Sequence, residues 1–402
     1  MQPDLDILHI PLTTKRYNNV SDLDSILHRW NELAAGEPMR TSDWLLSWWE
    51  IYASPDDELC ILTFSEPGGN IVGLAPLYLA GKTTNATYRF LGTGYFCTQY
   101  LTWLTSDSWE VRVGIEVARF LIGNKSDWKR LYLELIDAEA LAVNATVNFL
   151  AENRFLCHKR QVNSNWKIHL PVNWEDYTRL LSKSLRKRCK KLQKQFLDSG
   201  EIVVRQVEKE EDLPEGWKVL LKLHTDRWKN DLKPLGIFSD ERFLAFHKKV
   251  SSILFRQGKL RLAWLEHNNI PLAVEYQFMG SKTLYAYQAG IDLSNDLFSV
   301  GKLSIMTSIQ FAILNGCVFF DLLNGNDPYK LNWRATPVDC HDFRVWHNRG
   351  MGRLEWGLWS SYSLAVHYLK PILPHRFIIS MLTALHKSKD FVRLRFKKTQ
   401  AA

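Results

Sequence analysis

The chain has no Cys-X-X-Cys pair and no cysteine/histidine grouping at metal-ligand spacing. Its six cysteines, Cys60, Cys97, Cys157, Cys189, Cys317 and Cys340, are scattered over 402 residues. That pattern excludes a disulfide scaffold and a zinc finger, and it reads as free, mostly buried thiols in a reducing cytoplasm. No metal site is expected. No apolar run is long enough to span a bilayer, and the opening MQPDLDILHIPL places acid where a signal peptide needs base, so the expected location is cytoplasmic. There is no GxSxG elbow and no cysteine convincingly paired with a histidine, so no covalent nucleophile is signalled.

What is present fits a soluble α/β protein. At 402 residues the chain exceeds one ordinary core, which makes two domains the default. Hydrophobic residues make up 46% and charged residues 23%, proportions that separate it from disordered chains. The net charge of +8 favours anionic partners, and the excess is concentrated in SKSLRKRCKK (182–191) and RLRFKK (393–398). A solvated helix face explains the first patch, and an anionic ligand is its alternative.

Hydrophobic periodicity orders the chain. DILHIPL (6–12) reads as a strand, 21–38 and 41–53 as capped helices, and 58–82 as a hairpin around Pro67-Gly68-Gly69-Asn70. A helix over 109–124, a strand over 130–136 and a helix over 142–155 follow. The second half repeats the order. A helix is expected over 175–199, with Leu181, Leu185, Cys189, Leu192 and Phe196 as its apolar stripe. A strand, two helices, a three-strand meander over 259–292, a helix over 300–316 and the buried strand CVFFDLL complete it. GGNIVGLAPLYL near residue 70 aligns with HNNIPLAVEYQF near residue 270, which makes an internal duplication the economical reading. The expected units are 1–170, 171–350 and a helical, aromatic and basic tail over 351–402, with helices packed on the second domain as its plain reading and peripheral membrane contact as the sharper one.

Several side chains interrupt these patterns. Asp321 breaks an apolar strand and is followed by a Gly/Asn/Pro turn and by Tyr329, Lys330 and Trp333. A carboxylate at such a strand end commonly faces a ligand crevice, and a structural Asp holding turn amides is the alternative. Lys330 fits an anionic group and Tyr329 a leaving thiolate. His224 suits a general base, with Glu275 as the alternative. Ser299, Val300, Gly301 and Lys302 open a helix whose free amides and dipole favour a phosphate. Tyr285, Tyr287 and Gln288 alternate along one strand, where cleft lining and core packing explain them about equally.

HTDRW (224–228), the PLAVEY hairpin, YAYQAGID followed by SVGKL, and FFDLLNGNDPYKLNW together resemble acetyltransferases of the CelD/BcsL type, which are double-GNAT relatives of the FemAB aminoacyltransferases. The resemblance covers about residues 25–345. It implies a mixed α/β fold of two tandem GNAT-like domains, each a largely antiparallel sheet flanked by helices; the first half's counterpart strand RLYLELI lacks a following Tyr-Lys, so only the second is expected to be active. It also implies acyl transfer from acetyl-CoA or another acyl-CoA, as co-substrate, to a sugar or polysaccharide precursor. The matching positions Arg227, Trp228 and Trp333 are then expected to bind substrate. Two other readings stand beside it: a Fem-type aminoacyltransferase using charged tRNA, against which the lone helix 175–199 argues, and a non-catalytic scaffold that binds a polysaccharide or a partner. Nucleic acid is otherwise not an expected partner.

Overall fold

The computed structural model describes residues 7–81, 86–94, 98–162, 164–228, 236–292, 299–325 and 327–369. Contacts divide the chain into Met1–Val345 and Trp346–Ala402.

In the first of these units, the leading half contributes β1 (Thr13–Tyr17), α1 (Leu27–Leu33), α2 (Ser42–Tyr52), β2 (Glu58–Ser65), β3 (Ile71–Ala80), β4 (Thr87–Phe90), β5 (Leu104–Thr105), α3 (Glu110–Gly123), β6 (Arg130–Asp137), α4 (Leu141–Glu152) and β7 (Leu156–Gln161). Next come β8 (Asn165–His169), α5 (Trp174–Leu180), α6 (Lys183–Leu192), β9 (Ile202–Gln206), α7 (Leu213–Trp228), α8 (Glu241–Arg256), β10 (Leu260–His267), β11 (Ile270–Met279) and β12 (Thr283–Ile291). The series closes with α9 (Val300–Leu314), β13 (Phe319–Asn324), α10 (Tyr329–Asn332), β14 (Thr336–Val338) and β15 (Cys340–Trp346).

Two mixed sheets result, and their orders are the same when laid side by side. One runs β1-β2-β3-β4-β6-β15-β7, with β5 beside β3, and the other β9-β10-β11-β12-β13-β8-β14. In each, an antiparallel meander meets one parallel neighbour, β4 with β6 and β12 with β13. The duplication read from the sequence is therefore present in the topology. The halves also exchange a strand. β15, from beyond residue 339, lies between β6 and β7, while β8, from before residue 170, lies between β13 and β14. Each sheet is complete only with a strand of the other half.

Local chemistry explains the element ends. Thr41 caps α2 by accepting from the Trp44 amide, and Asp240 caps α8 by accepting from Arg242 and Phe243. Asn268 and Asn269 both take positive φ, which a two-residue hairpin turn with the sheet's twist requires. The opening differs from the sequence reading: residues 7–9 form a short 3-10 turn, and the first strand is TTKRY, whose threonines suit a pleated edge. The expected helix over 175–199 is broken. Leu181 is extended, Ser182 caps a new helix at Leu185, and residues 193–197 are a π turn. The expected stripe still packs, because Leu181, Leu185, Cys189, Leu192 and Phe196 are all buried in one cluster with α9.

The larger apolar cluster joins the halves on the other face of the second sheet. Trp44 of α2 meets Phe246 of α8 at 5.0 Å and Phe278 of β11 at 5.3 Å. Five cysteines of the described residues, Cys60, Cys157, Cys189, Cys317 and Cys340, are free thiols. Cys97 lies outside the described residues. In the second unit, α11 (Met351–Leu369) is described, while the rest of the tail and the basic patch 393–398 lie outside. Among the described residues no helix is long and apolar enough to cross a membrane.

Candidate active site

β12 and β13 pair in parallel only from Thr283↔Phe319 to Tyr285↔Asp321. Beyond that point β12 continues to Ile291, and a bulge at Tyr287 shifts its register against β11. β13 bends away, with Leu323 at φ +51. By contrast β4 ends at Phe90, one residue past its last parallel pair, Arg89↔Tyr132. The second half alone of these two strand pairs thus carries a long splay. A cleft of about 1560 Å³ opens there, lined by Ala286, Gln288 and Ile291 on one flank and Phe320, Leu322 and Leu323 on the other.

The cleft passes through the sheet, and its two mouths differ in chemistry. On the α9 face it is lined by Ser182, Ser184, Arg188, Ser299, Gly301 and Lys302. The Ser299 side chain does not cap α9. It accepts instead from Arg188 at 2.8 Å, while the Lys302 and Leu303 amides turn back to the Ser299 carbonyl. A helix start, a guanidinium and an ammonium converge there, the ingredients of an anion seat. A Cβ on Gly301 would stand 3.3 Å from Ile291 Cδ1, so the bare backbone keeps this approach open. Glu275 belongs to the same face: its carboxylate accepts from Ser304 of α9 at 2.5 Å and is linked through Gln277 to Ser308.

On the opposite face the lining is Tyr52, Thr93, Gln99, His224, Asp240 and Phe243, with Ser239 beside them. His224 is 2% exposed, on the face of α7 that packs against β12, and its ring meets Phe238 edge-on at 4.9 Å. Gly290 permits this packing, since a Cβ there would stand 2.6 Å from the His224 amide. The two bases weighed from the sequence thus sit on opposite faces of the sheet.

Asp321 is fully buried and is not among the cleft-lining residues. It accepts from the Tyr100 hydroxyl at 2.7 Å and from the Leu323 amide at 2.8 Å, with Lys167 at 3.9 Å. Burial pushes its acid up to about 6, against the opposing pull of Tyr100 and Lys167. Lys330 does line the cleft, yet its ammonium is 3.1 Å from the carbonyls of Leu322 and Leu323 and 3.2 Å from that of Asn324. These are the carbonyls left without a parallel neighbour where β13 leaves β12, so the lysine satisfies a strand end. Burial lowers it to about 8. The expectation that Lys330 holds an anionic substrate group is corrected accordingly: its three donors are engaged within the protein.

The remaining candidates divide in the same way. Gln288, Tyr329, half-exposed on α10, and Trp333 line the cleft. The Trp333 carbonyl also accepts from Tyr177 at 2.7 Å. Tyr285 turns inward, donates to Glu37 of the first half and is held protonated by burial. Tyr287 touches the cleft, but its hydroxyl lies 3.0 Å from Nε2 of buried His247, whose neutral form burial favours. Val300, the first residue of α9, is buried and is not in the lining. The side chains of Arg227 and Trp228 lie outside the described residues.

Arg188, Thr93 and Gln99 went unread in the sequence. Arg188 was visible only as one charge in a basic helix. The other two sit in a loop of the first half, 221 residues from the strand that one of its neighbours contacts. Among the described residues no group of three or more His, Cys, Asp or Glu side chains is placed to hold a metal ion.

Residues 183–331 match the acetyltransferase (GNAT) domain family. No curated protein matches the chain. Among solved structures, that of FemX covers 85% of this chain and 100% of its own at a TM-score of 0.60 and 10% identity, a likeness of fold. The C-terminal domain of a putative lysylphosphatidylglycerol synthetase from Agrobacterium fabrum gives a TM-score of 0.48 at 10% identity, covering 85% of this chain and 96% of that one. A tandem GNAT protein from the clavulanic acid biosynthesis pathway gives 0.42 at 11%, covering 84% and 99%. The domain match carries the chemical class, an acyltransferase, and its matched segment spans α6 to α10.

Proposed function

We propose that the protein moves an acyl group from an acyl-CoA, acetyl-CoA in the simplest case, to a hydroxyl or amine of a saccharide, and that the second half carries the chemistry. The observation behind this reading is the splay of β12 from β13, which joins an anion seat on one face to a polar, aromatic chamber on the other. A coenzyme A thioester has the matching order of groups. Its phosphates suit Arg188, Lys302 and the start of α9. Its amide-bearing arm suits a slot between strand edges, which can pair with it as a further strand would. The acyl carbon then arrives at the far mouth.

There His224 is the base on the correct face. It takes the proton that the acceptor loses as oxygen or nitrogen attacks the thioester carbon. The bulged segment of β12 supplies amides for the oxyanion that forms. The carbon–sulfur bond then breaks, and the thiolate takes a proton from Tyr329. Holding both reactants across one slot accounts for much of the acceleration such a reaction needs. Tyr52 and Phe243 beside Gln99, Ser239 and Asp240 give the far mouth the mixture of ring faces and polar atoms that suits a sugar. The resemblance to CelD/BcsL-type enzymes points the same way, toward a precursor of an extracellular polysaccharide.

A thermal-shift titration tests the donor first. Acetyl-CoA should raise the melting temperature in proportion to its binding. His224→Gln should keep that shift and lose about 10²- to 10⁴-fold in transfer. If acyl-CoA gives no shift at millimolar concentration while charged tRNA gives a salt-sensitive one, the aminoacyl-tRNA reading replaces this one.

A further inference from the structure

We infer that the first half selects the acceptor: Thr93 and Gln99 hydrogen-bond the hydroxyl or amine donors of a sugar held at the far mouth. This rests on the acyltransferase reading and adds where, and by what chemistry, its acceptor is recognised.

Two oxygens carry the inference. Thr93 is 6% exposed and Gln99 4%, both line the cleft, and Thr93 Oγ1 and Gln99 Oε1 have no hydrogen-bond partner among the described residues. Buried polar atoms are almost always satisfied, and leaving one unpaired is destabilising. A binding site is where such a cost is kept, because the ligand removes it. Gln99 Oε1 accepts only, so its partner must bring an O–H or N–H.

The residues flanking Gln99 are held firmly. Thr98 Oγ1 accepts from Trp44 Nε1 at 2.9 Å. The Tyr100 carbonyl accepts from Arg40 at 2.8 Å, its hydroxyl donates to Asp321, and its backbone stands at φ +59. Residues on either side of Gln99 are thus pinned, one to the first half and one to both halves. That leaves the Gln99 amide oriented without a bond of its own oxygen. Among the described residues of this mouth named above there is no Lys or Arg, whereas the donor mouth has both. A neutral or amine-bearing sugar fits this mouth better than an anionic one.

The experiment compares wild type with Gln99→Met and Thr93→Val, using acetyl-CoA as donor and either glucosamine or n-hexylamine as acceptor. The amines share a nucleophile, but only the sugar has hydroxyls to be read. For each variant, kcat/KM toward glucosamine should fall at least tenfold, while hexylamine changes less than twofold and acetyl-CoA affinity is unchanged. The melting temperature of Gln99→Met should not fall, since an unpaired oxygen has been removed. The inference is overturned if glucosamine turnover moves less than twofold, if both amines suffer alike, or if Gln99→Met lowers the melting temperature. It is also overturned if wild type neither binds nor acylates glucosamine, glucose or N-acetylglucosamine at tens of millimolar. Loss of acetyl-CoA binding in wild type is a separate result, and it would sink the underlying acyltransferase reading instead.

Discussion

Asp321 brings a carboxylate to a place with no exposure, and replacing it with asparagine separates a positioning role from a catalytic one. Its acid is pushed from 3.8 to about 6, chiefly by burial. A group whose folded pKa lies above its unfolded one stabilises the fold while protonated, and that contribution is lost as pH rises through the folded value. Stability due to Asp321 is therefore fully present below about pH 4, declines between pH 4 and 6, and is gone above. The span of roughly two pKa units corresponds to about 3 kcal/mol. Asparagine retains both contacts, since its oxygen accepts from the Leu323 amide and its nitrogen can donate to the Tyr100 hydroxyl. Urea unfolding of wild type and Asp321→Asn across pH 4–7, with each difference taken at one pH, isolates the group from every other titration. The variant should gain up to about 3 kcal/mol on wild type as pH rises from 4 to 7, and acyl transfer should change less than tenfold. A flat difference would refute the burial argument. A 10²-fold or larger loss of kcat with unchanged stability would give Asp321 a catalytic role instead, in line with the crevice-facing carboxylate first read for it.

The other perturbations probe single contacts. Lys330→Met leaves the Leu322, Leu323 and Asn324 carbonyls without their donor; a loss of about 3 kcal/mol or more in denaturant unfolding is expected, given about 1–3 for each unsatisfied group. Gly290→Ala forces a methyl against the α7 backbone at His224 and should cost about 1–3 kcal/mol, measured the same way. Arg188→Ala with Lys302→Ala should weaken acetyl-CoA binding in calorimetry at least tenfold, at about 1.5–3 kcal/mol per charged hydrogen bond, and should leave the affinity for desphospho-pantetheine thioesters nearly unchanged.

Local signals carried the second sheet. The meander β10–β12 is a set of apolar runs whose first turn is two asparagines, so its strands were legible from composition and turn chemistry. The candidate site's placement was legible where it is local: Ser299, Gly301 and Lys302 begin a helix, whose free amides are the feature proposed to seat an anion. It was illegible where the role depends on a partner far along the chain. Tyr285 and Tyr287 look like cleft aromatics until Glu37 and His247 are found opposite them. Leu323 at positive φ contradicts every propensity of a branched apolar side chain, and it is the bend of β13 that needs it. Leu135 in β6 shows the same reversal at φ +56, so the duplication preserves a backbone feature that no side-chain pattern records.

The exchanged strands give a reason for keeping two halves where one sheet has the splay. β8 pairs with β13 at Asp321↔Lys167, two residues before the bend at Leu323 that opens the cleft, so a first-half strand holds β13 where it stops pairing with β12. From the other side, Tyr100 reaches the same Asp321 and places Gln99 at the far mouth. One buried carboxylate thus joins the strand that shapes the donor slot to the loop proposed to read the acceptor. A second half expressed alone would lack β8, and with it the neighbour of β13 on that edge. Its cleft would then have no defined width, which is why the first half, lacking a long splay of its own, is still part of the proposed catalytic unit.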